Sequence, residues 1–123
     1  MLLIIHCEVF DDRKGFSKLQ WAVYDSNQNT ESGDVISDMP TYTFDFVQFL
    51  LAMGRCETLI GHNLPGKLKA IGAAMAQNCL RLSVERPEKI IHLDIAGTPG
   101  DLKNPSNIDD VYKMFLYVCP SQT

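Results

Sequence analysis

The sequence predicts an α/β domain built on a mixed β-sheet, and two patterns along the chain lead there. Three β-patterned segments come first, and helix-patterned and strand-patterned segments then alternate. The length of 123 residues suits one domain with a core of its own and leaves little room for a second, so residues 1–123 are read as a single unit. The element order is β-β-β-α-β-α-β-α, an antiparallel three-stranded meander followed by strands that helical crossovers make parallel.

The segment from Leu2 to Phe10 is aliphatic and β-branched, has no helix cap before it, and reads as a buried strand. Asp11 to Gly15 is a polar turn. From Leu19 to Asp25 residues alternate, with Leu19, Trp21 and Val23 on one face. Ser26 to Ser32 reads as a polar turn and Asp34 to Ser37 as a weak strand. Beyond Pro40, Thr43 is the expected N-cap of a helix with Asp45 in its first turn. Its apolar stripe is Phe46, Phe49, Leu50 and Met53, and Gly54 is the expected stop. Thr58 to Gly61 is a short strand, and His62-Asn63 a turn. A second helix follows from about Leu64 to Cys79, capped by Asn63, with Leu68, Ile71, Met75 and Cys79 toward the core. Gly72, Ala73, Ala74 and Ala76 would let it lie close to a sheet. Lys89 to Asp94 reads as a strand and Gly97 to Pro105 as loop, with Gly97-Thr-Pro-Gly100 simply a turn. Ser106 or Asn107 then opens a short helix through Val111, Met114 and Phe115 that ends before Pro120.

Composition narrows the function classes. The hydrophobic fraction is 46% and the charged fraction 21%, as in ordinary globular proteins. The net charge of −4 and a pI near 5.2 weigh against broad binding to nucleic-acid phosphates, although an acidic metal site is compatible with them. The local basic cluster is Arg13, Lys14 and Lys18. Cys7, Cys56, Cys79 and Cys119 form no C-x-x-C pair and read as packing residues. No run reaches the roughly 18 apolar residues of a membrane span, and Met1 to Ile5 is too short for a signal peptide, so a cytosolic protein is expected.

Ligands of such sheets gather at the carboxyl ends of central strands, where strand order reverses. Those ends are His6 to Glu8 on the first strand and Gly61 to Asn63 on the fourth. A nucleophilic site is not supported, because Cys7 and His6 are strand neighbours facing opposite ways, and no nucleophile elbow, phosphate-binding loop or dinucleotide fingerprint is present.

Four segments in register resemble the DnaQ-like (DEDD) 3′–5′ exonucleases of the RNase H-like superfamily. Leu3-Ile-Ile-His-Cys-Glu8 resembles an apolar strand ending in D-x-E, and Glu57-Thr-Leu-Ile-Gly-His-Asn63 resembles the strand ending in G-H-N before a helix. His92-Leu-Asp94 falls where that family has a strand ending near D-T, and Pro105-Ser-Asn-Ile-Asp109 to Tyr112 resembles P-S-L-D-x-x-Y. The resemblance implies an RNase H-like mixed sheet, here shortened at its C-terminus. It also implies four carboxylates around two divalent ions that activate water and stabilise the reacting oxygens.

The departures bear on activity. His6 holds the first aspartate position, Glu8 is retained, and Lys67 aligns with the second-motif aspartate. The third motif, H-x-x-x-x-D, would follow Tyr117, and the sequence reaches only Thr123. One carboxylate does not seat paired hard cations, and a lysine ammonium repels them. The resemblance therefore implies a degenerate, non-catalytic domain without a cofactor, acting through a protein partner or homodimer or by weakly holding a nucleic-acid end. Glu8 and Lys67 are expected to form a salt bridge in place of the metal. His62, Asn63, Arg13 and Lys14 are the nucleic-acid-facing residues of that reading.

Two alternatives stand beside it. An active exonuclease would use magnesium or manganese on His6, Glu8 and Asp94. Alternatively, the chain is a small α/β ligand-binding domain. His6 with Glu8, and His92 with Asp94, each share a strand face and would suit zinc or manganese if they converged. The simpler expectation is that these histidines hydrogen-bond to backbone, and that Lys67 and Lys69 point to water.

Overall fold

The strand around which the sheet is built is β1 (Leu2–Val9). It pairs antiparallel with β2 (Phe16–Asp25) and parallel with β4 (Thr58–His62). β3 (Gln28–Ile36) adds antiparallel to β2, and β5 (Lys89–Leu93) parallel to β4. The result is a five-stranded mixed sheet in the order β3-β2-β1-β4-β5. Helices α1 (Tyr42–Arg55), α2 (Leu64–Gln77) and α3 (Ile108–Val118) flank it. This computed structural model describes residues 1–12, 14–26, 28–81, 87–93 and 105–118. Over these residues the order of elements and the mixture of strand directions are those predicted from sequence.

Strand parity divides the core in two. Leu3, Ile5 and Cys7 of β1 face one side with Leu19, Trp21 and Leu59, where α1 and α2 contribute Phe46, Phe49, Leu64 and Ile71. Ile4, Ala22, Tyr24, Ile60 and Leu93 face the other side against Val111, Met114 and Phe115 of α3. A strand covered on both faces needs apolar residues at every position, hence the unbroken run at the start of the chain. Tyr24 and Tyr112 stack with centroids 4.2 Å apart and planes 10° apart, which fixes α3 over β2.

Several boundaries differ from expectation. The polar stretch Ser26 to Ser32 is mostly strand, because β3 begins at Gln28 and pairs through Asn29, Glu31 and Ser32. β3 is an edge strand with most residues exposed, so it needs no apolar alternation. α1 starts at Tyr42, one residue before the expected cap, and Thr41 donates its hydroxyl to Asp45 at 2.8 Å. Gly54 lies inside α1, which runs to Arg55. His62 belongs to β4, and Asn63 occupies the left-handed region at φ 52° with no side-chain cap bond among the described residues. Asn tolerates that conformation, and here it turns the chain from strand to helix. α2 ends at Gln77, leaving Cys79 exposed beyond it instead of in the core. Of the small residues, Ala74 packs on the sheet and Gly72 faces open space. Asn107 caps α3 by accepting the Asp110 N–H at 3.0 Å, and Asp110 in turn accepts from Ser106 N–H and Oγ at 3.1 and 3.0 Å. Gly97-Thr-Pro-Gly100, Cys119 and Pro120 lie outside the described residues.

Candidate functional site

Because β1 and β4 are parallel neighbours, their carboxyl ends lie side by side. Strand order also reverses between them: the chain leaves β1 toward β2 and β3, then returns on the other side as β4 and β5. This end of the sheet carries His6, Cys7 and Glu8 from β1, His62 and Asn63 from β4, and Lys67 from the first turn of α2. Lys18 stands opposite Glu8 on β2, and Lys14 lies in the β1–β2 turn. The Lys14 amide donates to Asp12 at 2.9 Å, and its carbonyl accepts from Gln77 Nε2 at 2.7 Å. Arg13 and Asp94 lie outside the described residues, so the expected His6, Glu8 and Asp94 set falls partly there.

His6 and Glu8 share the α3 face of β1, while Cys7 points to the α1–α2 face. His6 is 7% exposed, and its Nδ1 is buried with no hydrogen-bond partner among the described residues. Burial holds its pKa below the usual 6.5, and the Lys67 charge adds to that, with Lys18 acting the same way. Glu8 and Asp110 pull in the opposite direction. On balance burial favours the neutral form of the His6 imidazole. Cys7 is buried, and desolvation pushes its thiol up to about 12 even with Lys67 nearby. Such a thiol carries no thiolate at neutral pH, which removes it as a nucleophile. His62 is buried at 8% exposure.

Lys67 is half-buried, and desolvation lowers its pKa from 10.5, with Cys7 opposing that shift. The expected Glu8–Lys67 salt bridge does not form. Among the described residues the ion pair is Arg55–Glu31, which ties the end of α1 to the edge strand β3. Parity explains the separation: exposed Glu8 projects on the α3 side, whereas α2 brings Lys67 down on the Cys7 side. Lys69, in contrast, is exposed, as the simpler expectation has it.

Among the described residues no group of three or more His, Cys, Asp or Glu side chains is placed to hold a metal ion. Glu8 is an exposed carboxylate at this end, and the half-buried Lys67 ammonium lies toward the other face of the sheet. Asp110 is a member of this neighbourhood that sequence reasoning missed. Its cap role was legible from Ser106-Asn107 and the acid three residues on, but its reach toward His6 depends on how α3 packs across the sheet. No helix among the described residues is long and apolar enough to cross a membrane. No protein-family model matches this sequence, and a search of curated proteins returns no match.

Proposed function

We propose that this chain is an RNase H-like domain of the DnaQ-like exonuclease type that has lost metal-dependent cleavage and works non-catalytically, as an accessory module that contacts a protein partner or a second copy of itself. The meander followed by two parallel crossovers supports the fold part of this reading, as does the G-H-N segment at the end of β4. One observation carries the functional part. A half-buried lysine, unpaired among the described residues, stands at the carboxyl end of β1, where the resemblance calls for an aspartate. An ammonium in that position repels divalent cations, and Glu8 does not neutralise it.

A second reading, that the same end holds a nucleic-acid terminus, is favoured by two cations at this end of the sheet, Lys18 toward one face and Lys67 toward the other. The test uses end-labelled single-stranded DNA and RNA with excess protein in magnesium or manganese. No shortening is expected. Cleavage that disappears in Glu8→Ala would overturn the proposal, whereas cleavage retained in that variant marks a contaminating nuclease. Light scattering with and without oligonucleotide then separates a protein-contacting module from a binder of nucleic-acid ends.

A further inference from the structure

A cavity of about 730 Å³ lies beside α2, over Leu59 of β4 and Ile90 of β5. It shares no lining residue with the β1 end of the sheet. Its floor is core: Leu59, Ile71 and Met53 are 1%, 2% and 5% exposed. Its walls are half-buried apolar side chains, chief among them Leu68, Met75 and Leu80. The volume falls in the range of small-molecule sites, roughly 300–1,000 Å³. Gly72 keeps one side open, since a Cβ there would meet nothing within 4 Å.

The end of α2 shapes the mouth. Cys79 takes a left-handed conformation at φ 55°, its N–H bonds to Ala76 O at 3.2 Å, and the Leu80 N–H bonds to Met75 O at 2.8 Å. This is the paired-bond helix ending usually built on glycine, so a cysteine holds it under strain. The turn brings Leu80 and Arg81 to the cavity. Arg81 is the one charged residue among the described lining residues, and it forms no ion pair or hydrogen bond with a described residue.

We infer that this cavity binds a medium-chain alkyl carboxylate, with the chain against Leu59, Ile71 and Ile90 and the carboxylate on Arg81. Apart from Cys79 and Arg81 the described lining side chains are apolar, which suits an alkyl chain better than the many hydroxyls of a sugar or nucleotide. A guanidinium with no partner among the described residues matches a carboxylate with two parallel hydrogen bonds. This goes beyond the accessory role proposed above and does not depend on it.

Calorimetric titration of the whole chain with octanoate, decanoate and dodecanoate tests the inference. Saturable one-to-one binding is expected, tightening about fourfold for each added methylene. Gly72→Phe fills the space from a helix position that gains propensity, and should weaken binding more than tenfold without lowering the melting temperature. Arg81→Gln should weaken dodecanoate about tenfold and leave dodecanol unchanged. Absence of saturable binding below the micellar range overturns the inference. So does undiminished binding in Gly72→Phe, or equal losses for acid and alcohol in Arg81→Gln. A lower melting temperature for Gly72→Phe would show the space to be filled by the chain itself, which overturns the inference as well; Gly72→Leu repeats that measurement with a smaller side chain.

Discussion

Gly61→Ala is the substitution whose cost is best defined by the structure. A methyl group at Gly61 would stand 2.5 Å from Leu64 Cδ2 and 3.2 Å from Ile5 Cγ1. Both neighbours are fully buried at 0% exposure, so neither swings away into solvent. The backbone of Gly61 is ordinary strand paired to Ile5 and His92, which alanine adopts without strain. Overpacking of this kind costs about 1–3 kcal/mol, offset by about 0.5 kcal/mol from the stiffer unfolded chain. At roughly 2.1 cal/mol/K of unfolding entropy per residue, each kcal/mol moves the melting temperature of 123 residues by about 4 °C. Gly61→Ala should therefore melt about 2–10 °C below the parent, followed by far-ultraviolet circular dichroism with urea midpoints as a check. The decisive measurement is a cycle with Leu64→Ala. That change alone costs about 2–5 kcal/mol, but it vacates the space the new methyl needs, so the double variant should be more stable than the sum of the singles by about 1–3 kcal/mol. Additive effects, or a Gly61→Ala protein as stable as the parent, would refute the idea that glycine at the end of β4 exists to seat the first residue of α2.

Three further outcomes are expected. Cys79→Gly relieves a non-glycine left-handed residue and should raise stability by about 1 kcal/mol in urea unfolding, because glycine carries no Cβ penalty there. Lys67→Met should flatten the alkaline limb of stability against pH. The folded protein holds the Lys67 proton less tightly than the unfolded chain does, so parent stability rises with pH between the lowered folded pKa and 10.5, and the variant lacks that rise. His6→Leu acts at the acid end with the same sign: parent stability falls as pH drops from 6.5 through the lowered folded pKa, and the variant should lose less over that window in parallel urea titrations.

How much of this could be read from sequence depended on where each segment ends up. β1, β2 and β4 were legible because burial on both faces leaves an apolar signature in the strand itself. The start of β3 was not, since Gln28 to Ser32 is exposed on an edge and satisfies its backbone through Ala22 to Asp25 of the neighbouring strand. The start of α2 at Leu64, behind Asn63, was legible, but its end was not. Cys79 adopts left-handed backbone there, and a cysteine does not announce it. At the candidate site, the residues His6, Glu8 and Lys67 were all legible from position along the chain. Their pairing was not, because alternation determines which strand face Glu8 occupies but says nothing of α2 descending on the opposite one.

That disposition of Lys67 constrains any partner. Partial desolvation of an ammonium with no counter-charge among the described residues makes folding harder at neutral pH, and water at a half-open site compensates only in part. Whatever binds at the carboxyl end of β1 either leaves Lys67 hydrated or supplies negative charge to it. In the second case, protonation of Lys67 and binding are linked, and each favours the other by the same free energy. A partner bringing a carboxylate or phosphate would then raise the Lys67 pKa, take up protons on binding at alkaline pH, and lose affinity as pH climbs through the lysine's titration. A partner contacting the apolar surface of α1, where Phe44 and Leu51 are 66% and 47% exposed two turns apart, would show none of this. The proton stoichiometry of binding, measured by calorimetry in two buffers of different ionisation enthalpy, thus distinguishes the two surfaces before any complex structure is determined.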